Sequence, residues 1–158
     1  MVRFKTRVMA IVFLVADVLA TNLAWIAAYL LRFHSDPVVS VMPVTKGIPP
    51  FTQYLVLLPV ISVLWPILLY FHGLYKMTRG RSRIDEFFGI LFSVVFASAL
   101  TLGVALYVRV YYKYEAHESA AWEYSQAVFA IFIALDILAL NVGRWALRSY
   151  LQRMWTAG

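Results

Sequence analysis

Four long apolar stretches separated by short polar ones organise this chain, running from about Val8 to Leu31, Thr52 to Phe71, Phe87 to Val108 and Tyr124 to Val142. The hydrocarbon core of a bilayer is about 30 Å thick and takes roughly 20 helical residues at ~1.5 Å each. Each stretch therefore predicts one membrane-spanning helix. The fold class is all-α, an integral membrane four-transmembrane-helix bundle forming one domain over 1–158. A loop at 73–86 joins the second and third spans, and a basic tail at 143–158 follows the fourth.

Charge orients the bundle. Ten of the 14 Lys and Arg residues fall in alternate flanks, at the N-terminus, in the central loop and in the C-terminal tail, and four fall in the two other loops. The positive-inside rule then puts both termini and the central loop in the cytoplasm. Arg3, Lys5 and Arg7 have the look of a signal-peptide start. The apolar stretch behind them is about 24 residues long and carries Asp17, too long and too polar for a cleaved segment, so it is a retained span.

The outward loops fit this orientation. Tyr107, Tyr111, Tyr112, Tyr114, Trp122 and Tyr124 bracket the second of them as an interfacial aromatic belt, around Glu115, Glu118 and Glu123. The first contains Pro37, Pro43, Gly47, Pro49 and Pro50 and predicts an irregular connector.

Composition excludes a soluble domain and several chemistries. The hydrophobic fraction is 63% and the charged fraction 14%, against about 45–50% and ~25% in soluble chains. No cysteine is present, so disulfides, thiolate metal sites and thiol catalysis are ruled out. The net charge of +6 lies close to the apolar segments rather than in a separate arm, which points to anionic lipid and away from nucleic acid. His34, His72 and His117 are far apart, with no acidic neighbour at ligand spacing, and no metal or cofactor site is expected.

Helices in lipid approach closely along faces of small residues. The first span offers Ala16, Ala20, Ala24 and Ala28, and the third Gly89, Ser93, Ala97, Thr101 and Ala105. These are the expected helix-packing faces, within the bundle or between two copies. Pro59 and Pro66 each remove a backbone donor from the second span and predict a kink.

Asp17 and Asp136 lie inside predicted spans, where an ionised carboxylate costs about 2.5–3.5 kcal/mol on insertion scales. Each needs a partner or a proton. Both fall in the cytoplasmic half, where they can face each other across the bundle or reach a neighbouring polar group or a basic residue such as Arg144. A proton or cation relay is the functional alternative to these structural pairings.

The stretch from Phe71 to Leu91, FHGLYKMTRGRSRIDEFFGIL, carries the most information. Ser82 followed by Asp85 and Glu86 has the pattern of a helix N-cap with acidic residues at the positive end of the dipole. Lys76, Arg79, Arg81 and Arg83 precede that helix, and Arg144 and Arg148 follow the fourth span. These six are expected to contact lipid phosphate at the inner leaflet.

In order along the chain, four features resemble the N-terminal membrane region of the bacterial polyisoprenyl-phosphate hexose-1-phosphate transferases. They are the Asp17 span ending in Arg32, the Gly73-Leu74-Tyr75-Lys76 exit from span two, the Ser82 to Glu86 start of span three, and the basic tail after Arg144. The resemblance implies a four-helix domain of the bacterial cytoplasmic membrane, followed in that family by a soluble nucleotide-fold-like domain and a membrane-associated catalytic domain. Family catalysis uses a carboxylate pair and magnesium in that last domain, which is not part of this sequence, so no catalytic residue is carried over and Asp85-Glu86 are not that pair.

Two functions are consistent with these features. One is a non-catalytic membrane-anchoring and oligomerisation domain of such a transferase. The other is a small structural subunit of a larger respiratory, photosynthetic or transport complex. Membrane lipids, a second copy of the chain or a larger membrane complex are the expected partners.

Overall fold

The computed structural model describes residues 2–45, 47–76, 82–115 and 124–156. Every regular element among them is a helix: α1 (Val2–His34), α2 (Asp36–Val41), α3 (Phe51–Leu55), α4 (Leu58–Phe71), α5 (Arg83–Glu115) and α6 (Gln126–Thr156). Four segments, Arg7–His34, Phe51–Phe71, Arg83–Tyr111 and Gln126–Leu151, are long and apolar enough to cross a membrane. They form a ring in which α1 packs on α4, α4 on α5, α5 on α6 and α6 back on α1.

The outside of this ring is apolar. Leu19, Leu23, Phe96 and Leu138 are each about 60% exposed, a surface that suits lipid tails. Polar residues turn inward instead. Asp17, Thr21, Ser93, Thr101, Asp136 and Arg144 are all buried. Inward positions on α6 recur every four residues, as Val128, Phe132, Asp136, Leu140 and Arg144, and those on α4 as Ile61, Trp65 and Leu69.

Both small-residue faces are spent inside the bundle. All five stripe positions of α5 are buried, as are Ala24 and Ala28 of α1, while Ala16 and Ala20 are half-buried. The hydroxyls in the α5 stripe bond back to their own helix, Ser93 Oγ to the Gly89 carbonyl and Thr101 Oγ1 to that of Ala97, each at 2.8 Å. Ala97→Leu should therefore overpack the interior and lower stability by about 1–3 kcal/mol. Phe96→Leu, on the lipid side, should stay within about 0.5 kcal/mol, both read by titration with sodium dodecyl sulfate in mixed micelles.

Three expectations need adjustment. Pro59 divides the second span into α3 and α4 rather than only kinking it, because it has no N–H for the Leu55 carbonyl and instead opens α4. The neighbouring carbonyls are taken up by side chains: Trp25 Nε1 donates to the Tyr54 carbonyl at 2.9 Å and Tyr124 Oη to that of Gln53 at 3.2 Å. The loop between the first two spans is not wholly irregular, since Pro37 at the start of α2 is already in helical geometry. Finally, the basic tail continues α6 as helix to Thr156.

At the opposite end from Asp17, aromatic rings close the bundle. Trp25 packs edge-on against Phe129 and Phe132, with centroids 5.2 and 5.0 Å away, and Tyr54 meets Tyr29 and Tyr124. Tyr29 Oη donates to the Pro49 carbonyl, and Arg32 Nη1 to that of Met42, both at 2.8 Å. These bonds tie the proline-rich loop to the end of α1.

Candidate functional site

The site begins with the turn that ends α4. Gly73 has φ +68°, the Gly73 N–H donates to the Tyr70 carbonyl at 2.9 Å, and the Leu74 N–H to that of Leu69 at 3.0 Å. This is a Schellman turn, with the accompanying hydrophobic pair supplied by buried Leu74 and Leu69. Gly73→Ala should lower stability by about 1–2 kcal/mol, because a Cβ in left-handed geometry meets the following carbonyl. The same titration in mixed micelles reads it.

Across the 73–86 segment, the Ile84 N–H donates to Ser82 Oγ at 3.2 Å. Ser82 thus caps α5 as the sequence predicts. Asp85 is exposed, whereas Glu86 turns into the bundle and is buried. Between these two segments enters Arg144 of α6, only 3% exposed.

Arg144 uses its whole fork. Nε donates to Asp17 Oδ1 at 3.2 Å and Nη2 to Asp17 Oδ2, while Nη1 donates to the Leu74 carbonyl at 3.1 Å and reaches Glu86 Oε1 at 3.4 Å. One turn further along α6, Arg148 grips Glu86 with both terminal nitrogens, Nη1 to Oε2 at 2.7 Å and Nη2 to Oε1 at 2.9 Å. The Arg144 guanidinium also lies 5.6 Å from the Phe13 ring centroid and 5.4 Å from that of Tyr75. Burial and the Asp17 carboxylate push the Tyr75 phenol above its ordinary range, so it stays a neutral hydroxyl.

Two carboxylates and two guanidiniums therefore balance in a largely dry place, and four segments meet there: α1 through Asp17 and Phe13, the end of α4 through Leu74 and Tyr75, α5 through Glu86, and α6 through both arginines. A lysine has neither the planar fork nor the donors to reach Asp17, Leu74 and Glu86 together. Such a cluster is weak evidence for net stability, but removing one member strands the others.

Asp136 sits apart, one level deeper. Trp65 Nε1 donates to its Oδ2, while Oδ1 and the Thr21 hydroxyl have no hydrogen-bond partner among the described residues. Each aspartate thus turns to a different partner, Asp17 to an arginine and Asp136 to a tryptophan. Asn22 and Ser62 bond each other at 2.9 Å between α1 and α4. Pairing in the interior is partial, since Ser98 Oγ is also buried without a hydrogen-bond partner among the described residues.

Of the six basic residues expected at lipid phosphate, Lys76 and Arg83 are exposed and Arg148 is exposed beside its carboxylate, while Arg144 is buried in the network. Arg79 and Arg81 lie outside the described residues, as does His117. His72 Nδ1 lies 2.9 Å from Ser93 Oγ and 2.9 Å from the Leu68 carbonyl, a polar tie between α4 and α5. Phe13 and Trp65 are participants that the sequence does not single out, while Tyr75 and Glu86 stand in its motifs without a sign of their part in the network. The helix dipole accounts for Asp85 but not for burial of Glu86, and spacing carries a signal for it only once Arg144 is known to be near.

No protein-family model, curated protein or solved structure matches the chain.

Proposed function

We propose that this chain is a non-catalytic membrane-anchoring domain of the kind that the polyisoprenyl-phosphate hexose-1-phosphate transferases carry ahead of their catalytic part, with both termini and the 73–86 loop on the cytoplasmic side. The observation that carries this reading is where the resembling motifs fall. Gly73-Leu74-Tyr75 supplies the αL turn, a carbonyl and a ring to Arg144; Ser82 to Glu86 supplies the cap and the bridging carboxylate; Asp17 supplies the counter-ion. Those motifs are thus parts of one device that holds the inner ends of four helices in register.

A domain with this work needs a rigid base, and the ion pairs of Asp17 and Glu86 with Arg144 and Arg148 suit that. Oligomerisation of the domain uses a surface other than the small-residue face of α5, all five positions of which are buried within the bundle.

The test is the intact mass of the polypeptide isolated in mild detergent from its native membrane, with whatever co-purifies. A single polypeptide far heavier than 18.1 kDa, bearing a soluble part with sugar-phosphate transferase activity, is the expected result. A polypeptide near 18.1 kDa in fixed ratio with unrelated subunits would overturn the reading and make the chain a structural component of their complex.

A further inference from the structure

Beside the arginine network, on its open side, lies a pocket of about 320 Å³ between the first turns of α5 and the last part of α6. Its wall includes Arg83, Glu86, Asn141, Arg144, Trp145 and Arg148. From this lining we infer that the pocket is a specific site for the phosphate head group of an anionic glycerophospholipid. The inference needs only the four spans and holds whether or not the chain is a transferase domain.

Three observations converge on it. First, three guanidiniums face one carboxylate in the lining, and the remaining counter-charge, Asp17, is taken by Arg144 from the far side. Arg83 is exposed and has no carboxylate partner among the described residues, which leaves its charge for a ligand. A phosphate there meets the guanidinium fork of Arg83, and beside it the positive charge of Arg148, whose two terminal nitrogens already hold Glu86. Secondly, the pocket abuts the N-terminus of the 33-residue α5, where the dipole also favours an anion. Asn141, whose Nδ2 reaches the Ile137 carbonyl at 2.7 Å, keeps its side-chain oxygen for a head-group hydroxyl.

Thirdly, the position is that of a head group rather than of a soluble solute. The pocket opens where two spans leave the apolar zone, and Trp145 at its edge is 61% exposed, as an indole at the level of lipid head groups would be. Below it, the apolar outer faces of α5 and α6, with Phe87 and Val142 exposed, can receive the acyl chains. Basic pockets between spans on the cytoplasmic side are recurrent sites for anionic lipid.

Native mass spectrometry of the full chain in neutral detergent tests this, with phosphatidylglycerol and phosphatidylcholine offered in equal amounts. The expected result is retention of one phosphatidylglycerol in preference to phosphatidylcholine, with about a fivefold loss of that occupancy in Arg83→Gln. Arg83 has no ion-pair partner to strand among the described residues, so folding is not at risk in that variant. Lys76→Gln, the same charge loss at the same end but outside the lining, should leave occupancy unchanged. Equal retention of both lipids, or equal losses in the two variants, would overturn the site in favour of diffuse attraction to basic residues. Displacement of phosphatidylglycerol by millimolar inorganic phosphate would overturn the lipid and leave a soluble-anion site.

Discussion

Arg144→Met is expected to lower the stability of the bundle by about 3–5 kcal/mol, the largest loss of any single substitution in the chain. The variant removes four donated hydrogen bonds and leaves the buried Asp17 carboxyl with no cation beside it. Arg148 does not replace the loss, because both its terminal nitrogens are engaged by Glu86. Arg144→Lys should recover only part of the stability, since one ammonium cannot serve Asp17, the Leu74 carbonyl and Glu86 at once. Unfolding in mixed micelles, followed by the fluorescence of the five tryptophans, gives the numbers. Raising salt from 0.05 to 0.5 M, round figures on the order of a tenfold change, should alter the gap between wild type and variant little, because buried pairs are screened far less than exposed ones.

The second large effect is expected at Trp65. This side chain is 1% exposed, packs 5.3 Å from the Phe132 ring and donates to Asp136. Trp65→Ala should cost about 3 kcal/mol, at the low end for such truncations. The unfolded reference in lipid already has its side chains out of water, so lost packing rather than transfer dominates. The variant also leaves a buried carboxyl with no donor. Asp136→Leu in the Trp65→Ala background should therefore recover stability, whereas a rigid-cavity account with no role for the hydrogen bond expects no recovery from it. Equal stabilities of the single and double variants would show that the bond between Trp65 and Asp136 contributes nothing.

The architecture was largely legible in the sequence because membrane helices are announced by length and hydropathy, which need no tertiary context. The four spans fall where the apolar runs do, with helices extending past each run into the flanks, as α6 does to Thr156. Both small-residue stripes were legible as packing faces for the same reason: a repeat of four places residues on one side of a helix. What periodicity leaves open is which neighbour fills the face, and here it is the bundle itself.

The site was legible in its parts and not in their assembly. Asp17 stood out as a carboxylate that needs a partner, and Arg144 as one basic residue able to meet it, but a separation of 127 positions carries no local signal. Glu86 was hidden by a sufficient local explanation, its place in the first turn of α5. Trp65 was hidden because a buried tryptophan needs a partner for its N–H, and nothing in spacing says that the partner is Asp136. Pro59 shows the reverse case: its missing donor was plain, but whether the helix bends or breaks depended on Trp25 and Tyr124 supplying donors to the carbonyls nearby.

The claim at the centre of this account is that Asp17 and Arg144 act together as a structural lock between α1 and α6. A double-mutant cycle on Asp17→Asn and Arg144→Met, with unfolding free energies measured in mixed micelles, tests it most directly. The account predicts a coupling energy of at least about 2 kcal/mol, with the loss in the double variant well below the sum of the single losses. Additive losses, within about 0.5 kcal/mol, would mean that the two side chains do not stabilise one another and would contradict the lock.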